Sequence, residues 1–166
     1  MRPSVACLLL LILGGCGESP PPCSNTGSFE SAPSAGCLIW DQRGALLVKD
    51  FSDEWALPGG SVAEGESARC GAEREAFEET GMTARSGLLA AVFENGFHLY
   101  WCEVSPTAEP VIHRPLEVAE LIWWQLEALP DGSWRYPGQG ETIRDLILAR
   151  VAPVTDESGR VAHPAN

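Results

Sequence analysis

Basic residues are few: 11 Lys+Arg stand against 23 Asp+Glu in 166 residues, a formal net charge of −12. That balance excludes a nucleic-acid polymer as the expected partner, because such binding depends on basic side chains neutralising phosphates. It does not exclude a small phosphorylated substrate, since a divalent ion can bridge carboxylates to phosphate. Long apolar runs are also missing. The run from Val5 to Leu13 has nine residues, short of the roughly 20 that a membrane-spanning helix needs. No CxxC pair or Cys/His cluster is present, which argues against a zinc site. There is no internal repeat, which argues against a solenoid.

What is present at the N-terminus reads as processing signal rather than fold. Met1-Arg2 carries one positive charge, the apolar run follows, and it ends in Leu13-Gly14-Gly15-Cys16. This resembles a bacterial lipobox, and the resemblance implies that residues 1–15 are a signal peptide and that Cys16 is acylated. Residue 17 is Gly and not Asp, so nothing signals retention at the inner membrane. The implied place is the bacterial cell envelope, a lipoprotein on the outer membrane facing the periplasm. Export suits the cysteines as well. Cys23, Cys37, Cys70 and Cys102 remain, and four thiols in an oxidising compartment pair in three ways. A bond from Cys70 or Cys37 to Cys102 is expected, with Cys23 left unpaired.

Residues 16–36 are rich in Pro, Ser and Gly, bury little apolar surface, and read as a flexible tether of roughly 25 Å. The folded domain is expected over residues 37–152, with a loose tail over 153–166. Two short apolar runs, 37–40 and 45–48, flank Asp41-Gln42-Arg43-Gly44 and read as strand, turn, strand. Residues 66–80 contain a single glycine, Gly71, and no proline; a helix is expected there, stopped by Gly81. Strands are expected at 88–93 and 97–104 about a Glu94-Asn95-Gly96 turn, another at 121–124, and an amphipathic helix at 141–151. Strands mixed with helices indicate an α/β layered domain.

The chemistry sits around that first helix. Gly60 is followed after five residues by Glu66, and after seven more by Arg74-Glu75-Ala76-Phe77-Glu78-Glu79-Thr80-Gly81-Met82. Residues three and four apart share a helix face, so Glu75 lies beside Glu78 and Glu79. Three carboxylates on one face repel one another unless a hard cation joins them, and oxygen ligands are what Mg²⁺ or Mn²⁺ prefers. Gly59 and Gly60 permit close backbone approach.

This spacing resembles the Nudix box, GX5EX7REUXEEXGU, at all seven fixed residues. At common residue frequencies such a match arises by chance about once in 10⁸ starts. Ala76 and Met82 depart from the usual aliphatic choices but remain apolar. Trp55-Ala56-Leu57-Pro58-Gly59-Gly60 matches a lead-in common in the family. The resemblance implies a Nudix α/β/α sandwich with a mixed sheet and a catalytic loop-helix. It implies that Glu75, Glu78, Glu79 and the Gly59 carbonyl hold the metal. Glu66 would support the loop-helix junction beside Gly60, and Arg74 would orient Glu75. The general base is a helix glutamate or one from a later loop, Glu117 or Glu120. The implied activity is Mg²⁺-dependent cleavage of a diphosphate linkage in a nucleoside diphosphate joined to another moiety. A lipid-linked diphosphate suits an envelope enzyme equally, and a non-catalytic binding module is the rival class, opposed by the intact carboxylates. Phe93, Phe97, Tyr136 and the other aromatics are candidates to stack on a base; His98 and His113 are as readily structural. Oligomeric state is not legible.

Overall fold

The computed structural model describes residues 18–25, 27, 29–126 and 133–151. The expected signal peptide over residues 1–15, Cys16 and the expected tail over 153–166 lie outside the described residues. The strands are β1 (Ser34–Asp41), β2 (Gly44–Lys49), β3 (Glu54–Ala56), β4 (Gly59–Ser61), β5 (Arg85–Val92), β6 (Phe97–Glu103), β7 (Glu120–Trp124) and β8 (Ser133–Trp134); the helices are α1 (Ala68–Thr80) and α2 (Gln139–Val151). The main path of the sheet runs β5-β6-β1-β2-β3-β8, with β4 on β1 and β7 on β2. Pairing of β1 with β6 and of β3 with β8 is parallel, and the rest is antiparallel, so the sheet is mixed.

β1 shows why this is a sandwich. Ala35, Cys37 and Ile39 pack with Ala68, Ala72 and Ala76 of α1, whereas Leu38 packs with Ile143 and Ile147 of α2. Successive side chains point to opposite faces, so one strand feeds both cores. The alanines at i, i+4 and i+8 let α1 approach the sheet closely. Ala76 and Met82, the departures from the aliphatic pattern, are fully buried on that face.

Three short strands, β3, β4 and β8, were not expected from the sequence. β4 is the one that matters for function, because it fastens the Gly59-Gly60 stretch to β1 through the pair Gly36↔Gly59. A Cβ on Gly59 would lie 2.7 Å from the Ala35 carbonyl oxygen, and one on Gly36 would lie 2.6 Å from that of Pro58. Only glycine facing glycine allows this approach.

Two expectations about the N-terminal segment need correction. β1 begins at Ser34, not Cys37, and the stretch read as a free tether is bonded to the domain. Cys23, expected to be unpaired, forms a disulfide with Cys70 of α1, with Cα atoms 5.1 Å apart. The reason lies in the polar groups of α1. Its Ala68 amide, one of the orphan donors at a helix start, donates to the Glu30 carbonyl at 2.7 Å. The Ser24 amide and hydroxyl donate to the Glu73 carboxylate at 2.8 and 2.5 Å. Tyr100 donates its hydroxyl to Glu30. A segment too polar to build a core is thus held by hydrogen bonds and one covalent link. The second disulfide joins Cys37 to Cys102 across β1 and β6, one of the pairings the sequence proposed.

Candidate functional site

α1 begins at Ser67, whose side chain caps the Cys70 amide, and ends at Gly81 in the left-handed region with φ 68°. Gly81 is the stop that the sequence marked. It also brings a loop to the helix end. Val111 and His113 donate their amides to the Thr80 and Glu79 carbonyls, at 2.8 and 3.3 Å, and the His113 ring packs edge-on against Phe77 at 5.1 Å. His113 is therefore structural. His98 contacts the Tyr100 hydroxyl at 3.3 Å, within the packing of the N-terminal arm.

The loop places Arg114 over the helix carboxylates. Its guanidinium bonds Glu78 and reaches within 3.7 Å of Glu75 and 3.1 Å of Glu117. Arg74 approaches from the other side. It donates to Glu66 at 3.0 and 2.9 Å, to Glu75 at 2.7 Å, to Glu78 at 3.0 Å and to the Ser61 carbonyl at 2.7 Å. Glu66 in turn accepts from the Ala63 amide at 2.9 Å, closing the loop onto the helix. Arg114 was missed by sequence reasoning, because it stands at no fixed offset from the box; its position comes from the loop's docking.

Glu79 differs from its neighbours. It is buried, as Glu75 is, but among the described residues its carboxylate accepts one hydrogen bond, from the Gly59 amide at 2.9 Å, and no guanidinium. Burial pushes its pKa up to about 8; the Gly59 N–H pulls the other way, and the Glu75 charge adds to the rise. Gly60 is where Glu75 comes closest to the loop. A Cβ there would lie 2.6 Å from the Glu75 carboxyl carbon and 2.8 Å from each of its oxygens. Any side chain at 60 would fill the place that carboxylate occupies.

These residues fit a divalent cation in kind. They are hard oxygen donors on one helix face, pressed against a glycine loop, and one of them is buried with little compensation. Among the described residues no three acidic, His or Cys side chains are gathered around a single point; guanidinium groups hold Glu75 and Glu78 instead. Of the two later glutamates, Glu117 joins the cluster through Arg114. Glu120 pairs with Lys49 at 2.6 Å at the start of β7.

Two clefts accompany the site. One, of about 560 Å³, is lined by Glu78, His113, Arg114 and Pro115 together with Glu18 and Pro20 of the N-terminal arm. The other, of about 450 Å³, is lined by Phe93, Asn95, Phe97, Tyr136 and Gln139. Phe97 links it to the glycine loop, since a Cβ on Gly59 would meet the tip of its ring at 3.2 Å. Gln139 is 2% exposed, and its side-chain oxygen has no hydrogen-bond partner among the described residues. Of the other aromatics, Tyr100, Trp55 and Trp124 are buried in packing.

Residues 30–146 match the family model of the NUDIX domain. An 8-oxo-(d)GTP phosphatase of Mycolicibacterium smegmatis is 29% identical over 107 residues, covering 62% of this chain and 33% of that protein. Diphosphoinositol polyphosphate phosphohydrolase 2 of Rattus norvegicus is 33% identical over 70 residues, 40% of this chain and 39% of that one. The chain thus spans little more than a third of the length of either relative. Among solved structures, an ADP-ribose pyrophosphatase of Streptococcus suis superposes with TM-score 0.61 at 20% identity, covering 72% of this chain and 91% of that one. A UDP-X diphosphatase superposes with TM-score 0.59 at 22% identity, covering 76% and 68%. At these identities the two structures speak for the fold alone.

Proposed function

The chain belongs to the Nudix family, and from that premise we propose that it is a Mg²⁺-dependent hydrolase of a nucleoside diphosphate joined to another moiety. The observation that carries this reading is the arrangement of Glu75, Glu78 and Glu79 against Gly59-Gly60, with one cleft at Glu78 and another at Phe97 beside the glycine loop. Glu75, Glu78, Glu79 and the Gly59 carbonyl would hold Mg²⁺ or Mn²⁺. The ion would supply charge neutralisation at the diphosphate and a more acidic water.

The protein's own groups do the rest. Glu66 and Arg74 brace the loop and fix Glu75 by direct hydrogen bonds. Arg114 carries a charge at the cleft wall that diphosphate oxygens can take over from Glu78 and Glu117. Glu117, freed from Arg114, is the better placed of the two loop glutamates to accept a proton from water. In the second cleft a nucleobase can stack on Phe93 or Tyr136. The kinship with a nucleotide phosphatase supports a nucleotide substrate.

We also propose that the mature chain starts at an acylated Cys16 in the bacterial envelope, at the outer membrane facing the periplasm. Pairing of all four later cysteines supports an oxidising compartment. The hydrolase reading is tested by screening the oxidised chain from residue 17 onward against a diphosphate library with Mg²⁺ or Mn²⁺. Metal-dependent release of a nucleoside monophosphate supports it; inertness toward every diphosphate rejects it. Mass spectrometry of the N-terminal peptide from the native host tests acylation, which an unmodified Cys16 rejects.

A further inference from the structure

We propose that the cleft beside Glu78 opens onto the bilayer itself and takes a nucleoside diphosphate whose second moiety is a membrane lipid. The inference rests on the hydrolase reading and on Cys16 as the anchored residue, and it narrows the substrate class.

The first observation is where the N-terminal chain goes. Glu18 and Pro20 line the same cleft as Glu78 and Arg114. Glu18 is two residues from Cys16, and a chain advances at most about 3.6 Å per residue. An anchor at Cys16 would therefore tie Glu18 to the membrane by a link of at most about 7 Å. The disulfide sets an outer bound that does not depend on Glu18. Cys23 is bonded to Cys70 on α1 and stands seven residues from Cys16, a reach of about 25 Å at full extension. A free tether would let the domain turn any face to the membrane. A link this short would turn the cleft that Glu18 lines toward the membrane.

The second observation is what that face displays. The loop that carries Arg114 also carries Val111, Ile112 and Leu116, which are 57%, 36% and 91% exposed. Ile112 and Pro115 line the same cleft. Apolar side chains gathered at the mouth of a polar cleft, on a chain of net charge −12, call for an apolar surface to meet them. Electrostatics would not bring so acidic a protein to anionic headgroups. The anchor and the apolar loop would, and both sit at the cleft that holds Glu78. A lipid substrate can then keep its tails in the bilayer while its diphosphate reaches Glu78 and Arg114.

The paired cysteines make the test direct, because a chain beginning at Cys16 then has one free thiol. That thiol is coupled to a maleimide lipid in phosphatidylcholine vesicles containing CDP-diacylglycerol, with CDP-glycerol in solution as the soluble counterpart. Coupling should raise the rate on CDP-diacylglycerol by about tenfold or more, through effective concentration, and leave the rate on CDP-glycerol unchanged. Inserting about ten Gly/Ser residues between Cys16 and Glu18 should remove most of that gain by lengthening the reach. Leu116→Glu should lower the ratio of lipid to soluble turnover. Amide exchange across residues 111–118 should slow on the coupled vesicles. Hydrolysis of soluble diphosphates with no gain on CDP-diacylglycerol after coupling overturns this inference and leaves the hydrolase reading standing. Inertness toward all diphosphates overturns both.

Discussion

Glu73 and Glu79 stand six residues apart on one helix and are equally little exposed, at 6% each, yet their environments push them in opposite directions. Burial alone would raise the pKa of Glu73. Hydrogen bonds from the Ser24 side chain and amide, and from Ser86, outweigh it and hold the carboxyl below its ordinary value. Glu79 receives one such bond and lies near the Glu75 charge, so burial wins. Equal exposure with unequal depth and unequal satisfaction, Glu79 lying deeper and holding fewer hydrogen bonds, separates a carboxylate that holds the fold together from one that awaits a positive charge. α1 is thus two devices in sequence: its first half fastens the N-terminal arm, and its second half faces the chemistry.

The strongest test of that division is Glu79→Gln. Turnover should fall by about a hundredfold or more, while the metal-free fold holds or gains. The gain has a pH signature. A carboxyl raised from 4.5 to about 8 contributes stability that is complete below pH 4.5 and lost as pH rises through about 8. Metal-free wild type should therefore lose stability across that window, and Glu79→Gln should not. Full metal-dependent turnover in the variant would end the assignment. Arg114→Ala comes next. Removing a charged hydrogen-bonding partner should raise KM for a diphosphate by about tenfold or more, with a smaller effect on kcat. An unchanged KM would confine Arg114 to holding Glu78.

The two halves of α1 were also unequally legible in the sequence. The second half could be read residue by residue, because the Nudix spacing is local and helix geometry alone puts Glu75, Glu78 and Glu79 on one face. Gly81 and the Glu94-Asn95-Gly96 turn were legible for the same reason. The first half was not. Composition marked the Pro- and Ser-rich arm correctly as unable to build a core, but a disulfide and a few polar bonds attach it without one. Nothing within the helix announces that Cys70 and Glu73 meet residues 47 and 49 positions earlier. Arg114 escaped likewise, since its distance from the box depends on how a loop docks on Gly81. Glu117 and Glu120 looked equivalent in sequence, and their partners separate them: Glu117 meets Arg114, whereas Glu120 meets Lys49.

On the structural half, replacing Cys23 and Cys70 together by serine should cost about 2–4 kcal/mol, from the entropy regained by the unfolded loop. Urea denaturation reads the loss. Turnover of the soluble substrate per folded molecule should persist, since no sulfur touches the carboxylates. A loss below about 0.5 kcal/mol would mean that the hydrogen bonds of the arm hold it unaided.

Glu73→Gln carries the smallest expected effect and the sharpest contrast. The amide keeps the size of the carboxyl but loses its charge, and it cannot accept at both oxygens from the two serines. The expected cost is about 1–2 kcal/mol at neutral pH, in the range for hydrogen bonds to a charged group. Because the folded pKa lies below its ordinary 4.5, the contribution of Glu73 is present above that value and fades as pH falls through the lower folded one. Wild type and Glu73→Gln should therefore converge in stability on acidification, whereas wild type and Glu79→Gln should converge there from the opposite side, the variant being the more stable at alkaline pH. Urea midpoints of the three metal-free proteins across about pH 2 to 9 read both trends at once. Parallel curves for wild type and Glu73→Gln would show that the arm does not depend on the Glu73 charge, and the two glutamates would no longer differ in kind.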